Sequence, residues 1–331
     1  VLVGIDKLLF SYFYYKAQPF VFQLRDAPPA YIVPHPYHIN RLFDSITGNK
    51  SKINFIEPLE DLADTAISHD LDYPASYDGS VVATAQRLNI IVVAVESLRQ
   101  LDMNSRTAPF FTELAQQSIL ASNHYTGGNT THFGLFSLFY GLNPYYFHDF
   151  RISQVPPAGI SLLEQSGYSI YSTTARTMRW YDMDKFILGH DASAFIPEEG
   201  KNYERDRLVT DRSIEIARDH ARTGTPYLNF IYYYTTHADY EHPEEHTVFE
   251  PELKGPVDFS DEELKGVDRL KLVNRYRNAV HSVDSELRRL VRGLQQAGVW
   301  ENTIVVITSD HGEEFFEEDS IGHNTNLNEY Q

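Results

Sequence analysis

The stretch that decides the fold is RYRNAVHSVDSELRRLVRGLQQAGVWENTIVVITSDHG, residues 275–312. Its first part carries apolar residues at spacings of three and four, which place them on one face of an α-helix. The stripe comprises Val273, just before the stretch, and Tyr276, Val280, Val283, Leu287, Leu290 and Leu294. Residues 303–307 form a β-branched apolar run, which predicts a buried strand. We therefore predict a long helix, whose Lys and Arg residues form a solvated face, and then a strand that ends near Asp310-His311.

Other segments show the same alternation of strand and helix. Apolar or aromatic runs at residues 89–95 (NIIVVAV), 169–172 and 227–234 (YLNFIYYY) predict further strands, and residues 108–122 predict a helix. Strands that read as unbroken apolar runs are typical of parallel sheets, because helices cover both faces. The predicted fold class is therefore α/β, with a doubly wound, mostly parallel sheet and helices on both faces.

The composition limits the classes of function. The 331 residues are 42% hydrophobic, enough for a substantial core, and carry a formal net charge of −18. That charge repels nucleic-acid phosphates, so no nucleic-acid partner is expected. The chain has no cysteine, which excludes disulfides, thiolate metal ligands and a cysteine nucleophile.

Residues 1–85 and residues 86–331 differ in character. The first segment is rich in proline, tyrosine and aspartate without sustained periodicity, and we interpret it as an irregular, membrane-proximal lead-in or linker. Within it, residues 8–22 are dense in aromatics with one lysine, which suits either a membrane interface or an arm packed on its own domain. Residues 86–331 are predicted to form a catalytic domain, with residues 241–266 as an insertion at the rim of the sheet.

Acidic and imidazole side chains follow three of the predicted strands. Glu96 follows the first strand, His237 follows residues 227–234, and Asp310 and His311 follow the last strand. Because the carboxyl ends of parallel strands meet at one edge, these groups are expected to lie together, and a divalent metal ion would relieve their repulsion. Taken singly, each also fits a solvated residue at a helix start. The adjacent pair Asp310-His311 is the more specific signal.

A glycine-rich segment, residues 126–141 (TGGNTTHFGLFSLFYG), begins another predicted helix. Its glycine pair permits a tight turn, and Asn129-Thr130-Thr131 suits a helix N-terminus. A hydroxyl presented there lies among backbone N–H groups that favour a bound anion, so Thr130 is a candidate nucleophile. The alternative is that Asn129 or Thr130 serves only as a helix cap.

These residues resemble a known family. Residues 89–324 are similar to the alkaline phosphatase/sulfatase superfamily, and residues 275–312 match its penultimate helix, strand and metal-binding Asp-His pair. The glutamate at position 96 and the segment after residue 126 resemble the lipoteichoic acid synthase, phosphoethanolamine transferase and YejM-type inner-membrane branches. The resemblance implies a divalent metal ion, Mn, Mg or Zn, with Glu96, Thr130, Asp310 and His311 as ligands. It also implies that Thr130 is the nucleophile and that His237 and His323 contact the phosphoryl group or the leaving oxygen.

The function implied by this resemblance is metal-dependent phosphoryl transfer. The enzyme would be a phosphatase or a phosphoethanolamine- or phosphoglycerol-type transferase, acting on a phosphate ester or lipid head group through Thr130. One alternative is a lipid-binding regulatory protein of the inner membrane with little or no turnover. A second alternative, a sulfuric ester hydrolase, is disfavoured because sulfatases of this superfamily use a formylglycine made from cysteine or serine.

The resemblance also implies a location and partners. We expect the periplasmic or extracellular face of a bacterial inner membrane, as the soluble part of a membrane protein. The expected partners are a phospholipid or phosphorylated envelope substrate, and the membrane through an N-terminal transmembrane region outside this chain. Since relatives continue through more strands and helices beyond the position of His323, the domain is expected to be truncated at its C-terminus.

Two groups of charged residues lie near the predicted site. Arg176, Arg179 and Trp180 follow the second predicted strand and suit either a head-group contact or a packed surface. The acidic run after Gly312 is interpreted as a solvated rim beside the metal. It comprises Glu313, Glu314, Glu317, Glu318 and Asp319.

Overall fold

The computed structural model describes residues 72–74, 87–189, 192–257, 268–318, 320–323 and 329–330. Its strands are β1 (Asn89–Val95), β2 (Ser169–Thr174), β3 (Ser193–Phe195), β4 (Tyr227–Tyr233), β5 (Thr303–Ser309), β6 (Glu314–Phe315) and β7 (Ile321–Gly322). Its α-helices are α1 (Pro109–Ala115), α2 (Thr131–Tyr140), α3 (Phe147–Ser153), α4 (Ala158–Gln165), α5 (Met183–Phe186), α6 (Asn202–Thr223) and α7 (Arg269–Gln296). Short 3₁₀ helices lie at Gln100–Asp102, Pro144–Tyr146, Trp180–Asp182, Glu244–His246 and Trp300–Asn302.

The centre of the fold is a five-stranded parallel sheet in the order β3-β2-β4-β1-β5. The first strand, β1, pairs with β4 on one side and with β5 on the other. Ala94 is in register with Tyr232 of β4 and with Thr308 of β5, so these three strands end side by side. The segments that follow them therefore start from one edge of the sheet, where ligands bind in folds of this kind.

Helices cover both faces of this sheet. Alternate β1 side chains, Ile91, Val93 and Val95, join one buried core with residues of α6 and α7. The intervening Ala94 joins a second core with residues of α2, α3 and α4. The predicted α/β class, with a mostly parallel sheet and helices on both faces, is confirmed.

The predicted elements differ from the observed ones mainly in the helices. The predicted long helix is α7, which has 28 residues. The helix predicted at residues 108–122 is shorter, since α1 ends at Ala115 and turns follow it. The 22-residue helix α6 is absent from the prediction. Its buried face includes Asp206, Thr210 and Ser213, so polar residues interrupt the apolar stripe by which an amphipathic helix is recognised.

Parts of the predicted organisation lie outside the described residues. The structure describes residues 72–74 of the predicted lead-in, and the aromatic segment at residues 8–22 falls outside the described ranges. Residues 241–257 of the predicted rim insertion are described, and they contain one short 3₁₀ helix. Among the described helices, none combines the length and the hydrophobicity that crossing a bilayer requires.

Candidate metal centre

Glu96 lies directly after β1, at the edge where β4 and β5 also end. Its side chain is fully buried, and its Oε1 lies 3.2 Å from Nε2 of His311. The same oxygen accepts a hydrogen bond of 2.9 Å from the Ser97 hydroxyl. Because a buried carboxylate needs donors or a cation around it, this contact with an imidazole is the first part of the candidate site.

Asp310 and His311 follow β5, and their side chains converge. Asp310 Oδ1 accepts hydrogen bonds from the backbone N–H groups of Ser97 at 3.0 Å and of His311 at 2.8 Å, which orients the carboxylate. The other oxygen, Oδ2, lies 3.5 Å from His311 Nε2. His311 Nδ1 lies 2.8 Å from Gly312 O, so Nδ1 donates to that carbonyl and Nε2 faces the carboxylates. The predicted pair and Glu96 therefore meet at one point.

Mutual charge sets the protonation of these three side chains. Burial opposes ionisation of Glu96, but the neighbouring histidines, His311 above all, hold its pKa below the ordinary value. Burial and the charge of Glu96 raise the pKa of Asp310 to about 6. Burial disfavours the cationic form of His311, yet Asp310 and Glu96 raise its pKa to about 10. At neutral pH this environment keeps a proton on the His311 nitrogen that faces the carboxylates.

His323 is the fourth member of the cluster. Its ring centroid lies 4.2 Å from that of His311, and donor atoms of Glu96, His311 and His323 all lie within 4.8 Å of one another. His323 Nδ1 lies 2.9 Å from Oε2 of Glu313, which leaves Nε2 available to the site. Tyr240 donates its hydroxyl to the other oxygen of Glu313 at 2.9 Å. A buried carboxylate and a tyrosine thus orient this histidine.

The interpretation of the acidic run after Gly312 as a solvated rim is wrong for its first two members. Glu313 and Glu314 are 2% and 0% exposed. Glu313 is buried against His323, as described above, and Glu314 accepts hydrogen bonds from Ser320 N and Ser320 Oγ within the β6-β7 hairpin. These partners satisfy the carboxylates, so burial becomes possible. Further along, Glu318 is exposed, as the sequence predicts.

Tyr232 of β4 places a phenol between the two carboxylates of the site. Its hydroxyl donates to Asp310 Oδ2 at 2.7 Å and also contacts Glu96 Oε2. The side chain is buried, and burial together with these two negative charges holds its pKa well above the usual value. Sequence reasoning missed this residue, because an aromatic side chain in a buried strand is typical of core packing. The signal that could identify it is its register opposite Ala94, two residues before Glu96.

Two threonines begin α2. Thr130 is the N-cap residue and Thr131 is the first helical residue. Thr131 Oγ1 lies 3.3 Å from Glu96 Oε2 and 3.5 Å from His311 Nε2. Thr130 Oγ1 is buried and has no hydrogen-bond partner among the described residues, so it makes no capping bond to α2. The structure thus brings the unpredicted Thr131 into contact with Glu96, and leaves a buried, unpartnered hydroxyl on the predicted Thr130.

Glycines allow α2 to approach the site so closely. A Cβ added to Gly134 would lie 2.0 Å from Asp310 O, so the helix can pass this carbonyl only at a residue without a side chain. A Cβ on Gly127 would lie 2.0 Å from Ser137 Oγ, and one on Gly128 would lie 2.6 Å from a Phe133 atom. Neither of these two glycines has a left-handed φ, so it is close packing that requires a residue without a side chain here.

His237 lies beside the cluster rather than within it. Its ring stacks on Tyr234, with centroids 4.5 Å apart and 15° between the planes, and its centroid is 6.3 Å from that of His323. Arg176 also lies over the Tyr234 ring, at 5.3 Å. The predicted residues that the structure brings together are Glu96, Asp310, His311 and His323. His237 lies outside this group, against Tyr234.

The donor set fits a divalent metal ion. Carboxylate oxygens such as those of Glu96 and Asp310 are the hard ligands that Mn²⁺ and Mg²⁺ prefer, and imidazoles such as His311 and His323 suit Zn²⁺. Three of these side chains offer atoms close enough together for one ion to bridge. The unpartnered Thr130 Oγ1 is a further oxygen that needs a partner.

Comparison with known proteins identifies relatives in sequence. The sulfatase family model matches residues 88–331. Inner membrane protein YejM of Salmonella typhi is 26% identical over 226 residues, which cover 68% of this chain and 33% of YejM. YejM of Salmonella typhimurium gives the same identity and coverage. The chain thus spans about a third of the length of these curated relatives.

Comparison with solved structures identifies the same fold. The C-terminal periplasmic domain of EptC from Escherichia coli has a TM-score of 0.57 and 20% identity, over 73% of this chain and 69% of that domain. A complex of this EptC domain with Zn gives a TM-score of 0.57 and 21% identity over the same shares. The lipoteichoic acid synthase LtaP from Listeria monocytogenes has a TM-score of 0.55 and 16% identity, over 69% of this chain and 57% of that chain.

Proposed function

The chain belongs to the sulfatase family, and from this premise we propose that it carries the catalytic domain of a metal-dependent phosphoryl-transfer enzyme. The observation that carries the proposal is the contact of 3.3 Å between Thr131 Oγ1 and Glu96 Oε2, beside His311. A hydroxyl at a helix N-terminus and a set of metal donors thereby share one buried site. The proposed reaction is hydrolysis or transfer at a phosphate ester or lipid head group.

In this proposal Glu96, Asp310 and His311 hold a divalent metal ion, and His323 lies beside them with its Nε2 left for proton transfer. When bound, such an ion polarises a phosphoryl oxygen and lowers the pKa of a nearby hydroxyl. The Zn complex of the EptC domain supports a divalent ion, and Mn, Mg and Zn are the candidates for this chain. The backbone N–H groups at the start of α2 add positive potential for the phosphoryl oxygens.

Two hydroxyls are candidates for the nucleophile. The family resemblance favours Thr130, whose buried Oγ1 lacks a partner among the described residues. Contact with Glu96 favours Thr131. In either case the threonine hydroxyl releases its proton to solvent as its oxygen attacks phosphorus in line, the bond to the departing alcohol breaks, and the phosphoryl group becomes attached to threonine. Water or an acceptor hydroxyl then takes the phosphoryl group from threonine, which regains its proton.

The histidines complete the proposed mechanism. Glu313 holds His323 through Nδ1, so His323 Nε2 can give a proton to the departing alcohol oxygen. His237 stacks on Tyr234 at the outer side of the cluster, where it can contact the rest of the substrate. This division of roles follows from distance. The His323 ring centroid lies 4.2 Å from that of His311, whereas the His237 centroid lies 6.3 Å from that of His323.

The relatives guide a proposal for location and substrate. YejM is an inner membrane protein, the EptC domain is periplasmic, and LtaP is a lipoteichoic acid synthase. We propose that this chain works on the outer face of a bacterial inner membrane, as a domain of a membrane protein. A phospholipid or phosphorylated envelope molecule is the proposed substrate.

A second candidate function is lipid-binding regulation with little or no turnover. The likeness to YejM, an inner membrane protein, favours it. Sulfuric ester hydrolysis is less well supported, because the chain has no cysteine and has threonine at both candidate nucleophile positions.

Turnover measurements separate these functions. We expect metal-dependent release of product from p-nitrophenyl phosphate or from phosphatidylethanolamine with a labelled head group, and none from p-nitrophenyl sulfate. Thr130→Ala and Thr131→Ala are compared with Thr225→Ala, an exposed threonine before β4. The nucleophile variant should lose about a thousandfold or more in turnover while keeping its metal content.

Two other outcomes would argue against the proposed mechanism or the proposed enzymatic function. Full activity in both Thr130→Ala and Thr131→Ala would exclude a threonine nucleophile at this helix. Absence of turnover in a wild-type chain that contains metal, together with saturable binding of phospholipid, would favour the regulatory function.

A further inference from the structure

A groove between α6 and α7 is lined by arginines. It has a volume of about 330 Å³, and its wall includes Arg218 of α6 with Arg288, Arg289 and Arg292 of α7. Among the described residues that line it, none is acidic. In a chain with a formal net charge of −18, four arginines in one groove reverse the local sign of charge. Arg292 is exposed and Arg288 and Arg289 are half-buried, so these basic residues of α7 remain accessible to solvent.

The four arginines of the groove differ in their ion pairs. Arg289 pairs with Asp211 and, at 2.7 Å, with Glu286, so its charge is balanced. Arg218, Arg288 and Arg292 form no ion pair with a residue in the described ranges. Arg288 interacts electrostatically with the buried carboxylate of Asp284. Because arginine keeps its charge at every physiological pH, Arg218 and Arg292 leave two positive charges in the groove that no ion pair balances.

Arg288 gives a second, independent observation. Its Nε is buried and lacks a hydrogen-bond partner among the described residues, while its guanidinium lies over the Phe110 ring at 5.5 Å. A buried N–H without an acceptor is costly, so a ligand oxygen that reached this nitrogen would relieve that cost.

Packing holds these arginines on rigid elements. The two helices meet at Gly293, where an added Cβ would lie 2.5 Å from Ile214 Cδ1. Such close contact between α6 and α7 fixes the spacing of the side chains above it. The backbone positions of the arginines are therefore fixed relative to one another, which lowers the cost of binding.

The groove lies away from the candidate metal centre. Asp206, near the start of α6, accepts a hydrogen bond of 2.9 Å from Thr235 N, just beyond the end of β4. His220, near the end of α6, contacts Thr225 O just before β4 begins. The helix thus runs from the site edge of the sheet to the opposite edge, and Arg218 lies toward that opposite edge.

We propose that this groove binds a phosphate-bearing ligand, supplied either as a free phosphorylated compound or as the head group of an anionic phospholipid. Phosphate fits better than a carboxylate, because guanidinium groups pair with its oxygens in bidentate fashion and several arginines match a dianion. The volume corresponds to roughly ten water molecules, which leaves room for two linked phosphates. The proposal is independent of the function assigned to the metal centre.

Calorimetric titration of the chain with pyrophosphate in EDTA tests the proposal, since the chelator removes metal-dependent binding at the other site. The groove variant carries Arg218→Gln, Arg288→Gln and Arg292→Gln. We expect its affinity for pyrophosphate to be about tenfold or more below that of the wild type, and the wild-type affinity to fall as salt rises. Equal affinities in the two proteins would overturn the proposal.

A control variant tests whether a loss of affinity is specific to the groove or follows from the change in net charge. Arg207→Gln, Arg212→Gln and Arg222→Gln remove the same charge from α6 outside the groove, and should leave the affinity unchanged. Equal losses in both triple variants would also overturn the proposal. If the groove variant fails to fold, as judged by circular dichroism, Arg218→Glu replaces it, because Arg218 is exposed.

A vesicle sedimentation experiment identifies the source of the phosphate. Phosphatidylcholine vesicles with and without phosphatidic acid are sedimented with the wild type and the groove variant. Binding to phosphatidic acid that is lost in the groove variant identifies a head-group site. Binding of pyrophosphate without vesicle binding identifies a free phosphorylated ligand.

Discussion

The phenol of Tyr232 donates a hydrogen bond of 2.7 Å to Asp310 Oδ2 and also contacts Glu96. The three residues lie on or directly after β4, β5 and β1, so one hydroxyl connects the ends of three neighbouring strands. Two buried carboxylates so close together repel each other, and the protonated His311 sets one positive charge against their two negative charges. The site is therefore short of positive charge, as expected of the proposed metal-binding site.

Tyr232→Phe removes this hydroxyl and leaves both carboxylates without its proton. We expect the free energy of unfolding in EDTA to fall by about 1–3 kcal/mol, as for other buried polar groups that lose a partner. Added Mn²⁺ or Zn²⁺ should then stabilise the variant more than the wild type, because the ion supplies the missing positive charge. Urea denaturation with and without metal measures both quantities.

Tyr227→Phe is the matched control for this experiment. Tyr227 is a buried phenol on the same strand, and its hydroxyl has no hydrogen-bond partner among the described residues. Its removal should change the free energy of unfolding by less than about 0.5 kcal/mol. If both substitutions have the same effect in EDTA, Tyr232 has no special role in the site.

Metal binding should release protons. The pKa of His311 is about 10 and that of Asp310 about 6, and both groups must be deprotonated to act as ligands. His311 holds its proton below pH about 10, so metal affinity should rise about tenfold per pH unit as pH increases from about 6 toward 10. Below about pH 6 the metal affinity should depend more steeply on pH, because Asp310 is protonated as well.

Calorimetry at one pH near neutrality, in two buffers of different ionisation enthalpy, measures this release. About one proton per metal ion is expected from His311. An enthalpy that does not depend on the buffer would argue against His311 as a ligand.

Gly134→Ala should displace α2 from the site. The new Cβ would lie 2.0 Å from Asp310 O, so the helix must move or the strand end must shift. We expect a loss of about 1–3 kcal/mol in the free energy of unfolding and a clear fall in metal affinity. Gly159→Ala in α4 is the control, since an added Cβ there meets nothing within 4 Å. A similar metal affinity in the two variants would mean that metal binding does not depend on the close approach of α2 to Asp310.

Glu313→Gln should act through His323. The amide keeps the shape of the side chain but removes the negative charge that holds His323 Nδ1–H at 2.9 Å. If His323 protonates the leaving oxygen, kcat should fall about 10- to 100-fold with KM and metal content little changed. Glu318→Gln, an exposed carboxylate in the same segment, should leave all three values as in the wild type. A fall in stability alone, with kcat intact, would reduce Glu313 to a structural role.

Local patterns in the sequence determined much of the fold. The apolar run of β1, the β-branched run of β5 and the helical stripe of α7 are visible because their periods follow from backbone geometry. The pair Asp310-His311 was predictable as part of a candidate site for the same reason, since two adjacent polar residues after a buried strand share its edge of the sheet. Glu96 followed from the same reasoning applied to β1, and the structure brings these three side chains together.

The tertiary structure decided which other side chains join them. Tyr232 reaches the carboxylates because β4 lies beside β1 in a register that puts Tyr232 opposite Ala94. Thr131 rather than Thr130 contacts Glu96, and this depends on how closely α2 approaches the site at Gly134. Strand order, register and helix approach depend on packing between segments that are distant in sequence. A polar residue within a buried segment looks the same in sequence whether or not the fold brings it a hydrogen-bond partner. The burial of Glu313 and the buried polar face of α6 were hidden for this reason: their partners come from elsewhere in the chain, and only the folded structure brings them into contact.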